Sequence, residues 1–244
     1  MFTRRQREPE VSGPYWRQRG WQLSAGFLAG AVVLGGLVAL TSGGDGSARA
    51  PAAGREPVAA HGRPGDCRTD DSAGDARPEA APKDVTWRMI GAVRVPVSPT
   101  AGPVRTGGTP WWCFAHTATG AVMAAHVITS QMGMADWETV AERQLVPGLA
   151  RDMFVFTRRT IEDAPSEEVD QASVASYVGF SVRSYAKSAA SVNLLMRGSD
   201  GFTGTTVNLR WEEGDWKILP FGDGSLYSTL SPVQNTNGYL LWET

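Results

Sequence analysis

The chain has 244 residues, with 25 acidic and 23 basic side chains and a formal net charge of −2. A slightly negative balance, with arginines spread among acids, argues against a nucleic-acid-binding domain. Three histidines and two cysteines, with no carboxylate cluster beside them, argue against a zinc centre.

In chain order, the first feature is a basic tail. Arg4, Arg5, Arg7, Arg17 and Arg19 precede an apolar run, and no charge occurs from Gly20 to Gly44. Residues 23–40 of that run make about 27 Å of helix, close to the ~30 Å hydrocarbon layer of a bilayer. The positive-inside rule then places residues 1–20 in the cytoplasm, residues 21–41 in the plasma membrane and the C-terminal part outside. Tyr15, Trp16 and Trp21 suit the headgroup layer. A cleaved signal peptide is the alternative, but its apolar region is normally shorter and ends at a small-x-small site. The best such site here, Ala48-Arg49-Ala50, is followed by Pro51. Gly26 and Gly30 form a G-x-x-x-G pattern that allows close helix approach and a homodimer or oligomer through the span. The plainer account is that Gly and Ala are common in spans from GC-rich genomes.

Residues 42–84 are rich in Ala, Gly, Pro, Arg and Asp, and Val58 is the sole branched aliphatic side chain among them. Such a stretch cannot offset its ordering entropy by burial and reads as a disordered linker. Cys67 lies late in it and Cys113 lies in the following domain. In an oxidising compartment the two are expected to pair, which would end the effective linker at Cys67. A free thiol or a bridge between subunits are the alternatives. Cys113 and His116 also suggest a nucleophile with its base, but neighbours in sequence are not thereby a catalytic pair.

Residues 85–244 are long enough for one domain. Val85 to Met89 and Val93 to Pro96 read as short extended pieces. The spacing predicts a helix over 120–132, capped by Thr119 and stopped by Gly133. A second helix follows Asp136 and ends at Pro147. A third runs over 149–160 with Met153 and Phe156 inward. The period then becomes two: Val178, Phe180 and Val182; Val192, Leu194 and Met196; Val207, Leu209 and Trp211; Trp216 and Ile218. Gly198-Ser199-Asp200-Gly201 and Glu213-Gly214-Asp215 read as hairpin turns. Helices followed by an antiparallel meander predict an α+β fold with a curved sheet, preceded by one transmembrane helix.

No phosphate-loop, dinucleotide, serine-hydrolase or metalloprotease motif occurs. His61 falls in the linker, and His126 reads as a partly buried helix residue. Gly222-Asp223-Gly224-Ser225 reads as a loop. The readable inward strand positions are apolar, so no catalytic residue, cofactor or metal is assigned. A general base could still come from a helix, through Asp136, Glu142 or Asp152. Surface carboxylates on helices are the usual case.

The stretch Val207 to Leu219, a hydrophobic strand, a Gly-Asp turn, then Trp, a basic residue and an aliphatic, resembles the closing hairpin of the nuclear-transport-factor-like (cystatin-like cone) superfamily. Over residues 67–242, Val85-Thr86-Trp87, Ala101-Gly102-Pro103, Cys113-Phe114-Ala115-His116-Thr117, Thr119-Gly120-Ala121, Glu142-Arg143-Gln144 and Leu209-Arg210-Trp211 are similar to an uncharacterised family of actinobacterial membrane-anchored proteins. Members are often encoded beside conjugative-transfer genes. The layout of tail, span, linker and cone is similar to bitopic scaffold subunits of type IV secretion machines, an analogy of layout and fold. The resemblance implies a non-enzymatic assembly module with conjugation or secretion components and the lipid bilayer as partners. The alternatives are a binder of a small hydrophobic ligand in the cone pocket, or an isomerase- or dehydratase-like enzyme.

Overall fold

The computed structural model describes residue 63, residues 65–162 and residues 176–243, all in the compact unit Pro57–Thr244. The expected tail, membrane helix (residues 21–41, with Gly26 and Gly30), His61 and about half of the linker, residues 42–62 and 64, lie outside the described residues. Among the described residues, no helix is long and apolar enough to cross a membrane.

The fold is α+β. A hairpin of β1 (Thr86–Ile90) and β2 (Val93–Val97) comes first, then helices α1 (Ala118–Gln131), α2 (Trp137–Gln144) and α3 (Leu149–Glu162). The main sheet follows: β3 (Ser176–Ala186), β4 (Ala189–Gly198), β5 (Gly201–Glu212), β6 (Asp215–Ile218), β7 (Ser231–Val233) and β8 (Leu240–Leu241). It runs β6-β5-β4-β3-β8, with β7 on the same edge of β5 as β6, and every pairing is antiparallel. It is open, not a closed barrel. Register shifts between Tyr177 and Gly179 and between Val182 and Ser184 bend β3, as an extra residue in one strand of a pair does.

The turns follow from local chemistry. Between Glu212 and Asp215 only Glu213 and Gly214 intervene, at φ +53° and +81°. Positive φ at both centres is the two-residue hairpin geometry that matches strand twist. The Gly198 to Gly201 turn closes the β4–β5 hairpin as its sequence suggests.

Helix α1 is the centre of the core. Twelve of its fourteen residues are buried, so it is enclosed on nearly every side rather than amphipathic. It packs on β2, β3, β4, β5 and β6, meeting Phe180, Val192, Leu194, Val207, Leu209, Trp216 and Ile218 in one apolar cluster. Its cap is Thr117, not Thr119: the Thr117 hydroxyl accepts from the Gly120 N–H at 3.1 Å. The reason is tertiary. A Cβ at Gly120 would stand 2.0 Å from the Ala115 carbonyl, so that glycine lets the incoming loop press on the first turn. The last helical residue is Gln131 and its C-cap is Met132, one residue before the expected stop at Gly133.

After α2 the chain turns extended, and Leu145 bridges Ile218 in parallel, with Val146 N–H donating to the Ile218 carbonyl at 2.9 Å. This covers part of the open edge of β6, which would otherwise offer unpaired backbone groups. Helix α3 is rotated from its expected phase. Met153 and Phe156 are exposed, while Phe154 and Val155 are half-buried and pack against the core. The Phe154 ring meets Trp137 edge-on at 5.9 Å. Gly224, at φ +86°, brings its loop so close that a Cβ would stand 2.9 Å from the Phe154 nitrogen. Hydrophobic spacing allowed either phase; the docking of Phe154 on Trp137 selects this one.

Candidate functional site

Cys67 and Cys113 form a disulfide, with their Cα atoms 5.5 Å apart. It ties residues that precede the first strand to the loop before α1. Further bonds fasten that segment. Arg63 donates to the Phe114 carbonyl at 2.6 Å and pairs with Asp71 at 3.1 Å. Asp71 accepts the His116 N–H at 2.8 Å, and Asp84 accepts from Ser98 and Thr100. The folded unit therefore reaches back beyond Val85 to the cysteine.

Beside the disulfide lies Asp215, at the end of the tight hairpin. Its carboxylate accepts three backbone N–H groups: Cys113 at 2.7 Å, Phe114 at 2.9 Å and Trp216 at 3.0 Å. Burial pushes this carboxyl up to about 6, against the pull of the three donors and of Arg63. The bonds hold Cys113 at φ +73°, a conformation that costs a residue with a Cβ. Asp215 also lines a cleft of about 240 Å³ with Trp112, Arg143, Gln144 and Lys217. With both oxygens committed to backbone donors, it is a clamp rather than a base. His116 stacks on Trp211 at 3.8 Å and its Nε2 donates to the Lys187 carbonyl at 2.6 Å. Cys113, being in the bridge, offers no thiol for nucleophilic attack.

His126 is fully buried, not partly. Its Nδ1 lies 2.8 Å from the Val122 carbonyl; since a carbonyl only accepts, Nδ1 carries the proton. Nε2 is then a bare acceptor with no partner among the described residues, and the indole N–H of Trp242 also lacks one there. The His126 ring sits among Tyr177 at 4.7 Å, Trp242 at 5.4 Å and Phe180 at 6.5 Å. Burial lowers its pKa to about 4, so it is neutral at pH 7.

Next to this cluster, the end of α1 and strands β3 to β5 border a cleft of about 250 Å³. Leu194, Met196, Val93 and Leu230 give it apolar walls, and Thr129, Ser130, Tyr177, Thr205 and Tyr227 bring hydroxyls. Among the described residues, no ionisable acid or base lines it apart from the two phenols. The Tyr177 hydroxyl lies 3.3 Å from Thr129 Oγ1 and 3.2 Å from Ser130 Oγ.

The outer side of α3 is different. Leu149, Met153 and Phe156, spaced i, i+4 and i+7, are 77 %, 38 % and 74 % exposed. That spacing forms one stripe on a helix. Beside it, a groove of about 560 Å³ between α2 and α3 carries Glu138, Glu142 and Asp152 against Arg151 and Arg159. Arg159 pairs with Glu138 at 2.6 Å.

Of the carboxylates named from sequence, Asp136, Glu142 and Asp152 are all exposed. Among the described residues no group of His, Cys, Asp and Glu is arranged to hold a metal. Sequence reasoning missed the buried role of Asp215, which looked like an ordinary turn residue. It also missed the hydroxyl set of Thr129, Ser130 and Tyr177; the adjacent Thr129-Ser130 pair on an Ala-rich helix was the available signal.

The fold and site define an α+β domain, stapled by one disulfide, with a small uncharged cleft between a central helix and an open sheet. The chain belongs to the family described as a domain of unknown function (DUF8175), whose model matches residues 47–241. No curated protein and no solved structure matches it.

Proposed function

We propose that this is a single-pass plasma-membrane protein whose outer domain is a non-enzymatic assembly module. In this reading residues 1–20 are cytoplasmic, residues 21–41 span the bilayer and the disulfide-stapled domain stands outside on its linker. The observation that carries the assembly role is the α3 stripe of Leu149, Met153 and Phe156, whose large side chains are left to solvent. An apolar centre flanked by paired charges is the anatomy of a protein-binding patch. The Cys67–Cys113 bond supports the compartment, because disulfides persist outside the cytoplasm. The order of helices and bent sheet supports a nuclear-transport-factor-like cone. Cone and membrane layout together support a scaffold role in conjugative transfer or a type IV secretion-like apparatus.

The test has two arms. Protease added to intact protoplasts should remove the domain; survival of the whole chain overturns the topology. In a host carrying the transfer genes, Phe156→Asp with Leu149→Asp should lower transfer at least tenfold at an unchanged membrane level of the protein. Unchanged transfer overturns the assembly role.

A further inference from the structure

The hydrogen-bond directions around the cleft between α1 and the sheet assign it a ligand chemistry. Each Ser or Thr hydroxyl has a single proton to give. Thr129 Oγ1 lies 2.6 Å from the Ala125 carbonyl and Ser130 Oγ 2.8 Å from the His126 carbonyl. Carbonyls only accept, so both protons are spent on the helix backbone. The Tyr177 hydroxyl, in reach of both oxygens, must therefore be the donor between them. On the other wall, Thr205 Oγ1 lies 2.6 Å from the Ser228 carbonyl, and its proton is spent as well.

What remains on these four hydroxyls is lone pairs. Tyr227 can turn its hydroxyl either way on an exposed side chain, and so does not select. A carbonyl, ether or carboxylate entering the inner wall meets only acceptors, and leaving an acceptor facing an acceptor costs affinity. Among the described residues that line the cleft a cation finds no carboxylate, and it would be desolvated without compensation. A neutral hydroxyl satisfies the wall, and Leu194, Met196 and Leu230 can cover an apolar body.

We propose that this cleft binds a small uncharged molecule, mainly apolar, that donates a hydrogen bond from a hydroxyl group, such as an alkylphenol or a short alcohol. Its volume of about 250 Å³ falls just under the ~300–1,000 Å³ of drug-sized sites, which suits a body of one ring or a short chain. This inference is independent of the membrane topology and of the α3 surface.

The test uses full-length protein in nanodiscs, with empty nanodiscs as the blank. The probes are 4-propylphenol, 4-propylanisole and 4-propylbenzoate, followed by ligand-detected NMR titration. The phenol should bind at least tenfold more tightly than its methyl ether, and the carboxylate should not bind. The double variant Thr129→Val, Ser130→Ala removes the acceptors that hold the Tyr177 proton, so that proton turns to the cleft. In it the preference should fall to parity or reverse in favour of the ether. Equal binding of phenol and ether to the parent chain, binding of neither, or a folded double variant that keeps the preference would each overturn the proposal.

Discussion

Asp215 accepts the backbone N–H of Cys113 at 2.7 Å, across 102 positions of sequence. The same carboxylate takes the next N–H, of Phe114, at 2.9 Å. The hairpin end that carries Asp215 thus holds the loop that carries the disulfide. From that loop the chain enters α1, the core helix, so one carboxylate holds the loop from which that helix starts.

Removing that acceptor should be costly. Asp215→Ala leaves the N–H groups of Cys113, Phe114 and Trp216 without a partner. Relief of a buried charge offsets part of the loss, leaving about 2–4 kcal/mol of destabilisation. Asp215→Asn, which keeps one acceptor oxygen, should lose less. Urea unfolding of the full-length protein measures both, and an Asp215→Ala midpoint equal to that of the parent would contradict the clamp.

Stability against pH should show two opposing slopes. His126 has a folded pKa lowered to about 4 from 6.5 by burial. Its contribution is present above pH 6.5 and is lost as pH falls through 4, a loss of roughly 3 kcal/mol. Asp215 has a folded pKa raised to about 6 from 3.8 by burial. Its contribution is fully present below 3.8 and is lost as pH rises through 6, by a similar order. Between pH 4 and 6.5 the two nearly cancel in the parent chain. His126→Leu should therefore grow more stable on acidification over that window, and Asp215→Asn less stable. Thermal unfolding at half-unit pH steps reads the slopes; slopes of the same sign in both variants would refute this account.

The disulfide closes a sequence separation of 46 residues. In the chain-entropy description such a cross-link stabilises by about 4 kcal/mol. Cys67→Ser with Cys113→Ser should lower the unfolding free energy by that order. Mass spectrometry without reductant should recover the linked peptides from the parent chain, whereas alkylation of both thiols under those conditions would exclude the bridge.

Helix α3 offers a test of phase. Phe156, exposed, should tolerate Phe156→Ser within about 0.5 kcal/mol. Phe154, packed edge-on against Trp137, should lose about 1–3 kcal/mol as Phe154→Ala, less than a fully buried phenylalanine would. Equal costs at the two positions, read from denaturant midpoints, would mean the helix is rotated from the position described.

Local pattern alone determined a good deal here. Period-two runs placed β3 to β6, since alternation is intrinsic to an extended chain and needs no knowledge of the partner strand. Glycine and aspartate marked both tight turns, and two cysteines in one chain implied their bridge. Proline and glycine bounded the helices to within a few residues. Tertiary structure decided what these elements do. Met153 and Phe156 had the spacing of a core face, yet Trp137 and the Gly224 loop turned α3 the other way. Thr119 gave way to Thr117 as the cap because Ala115 presses on Gly120. Asp215 became a buried clamp, and Tyr177 became the donor between Thr129 and Ser130, through bonds to groups dozens of residues away. Periodicity is a property of neighbours along the chain, whereas burial and hydrogen-bond direction belong to neighbours in space, which exist only once the sheet has closed over α1.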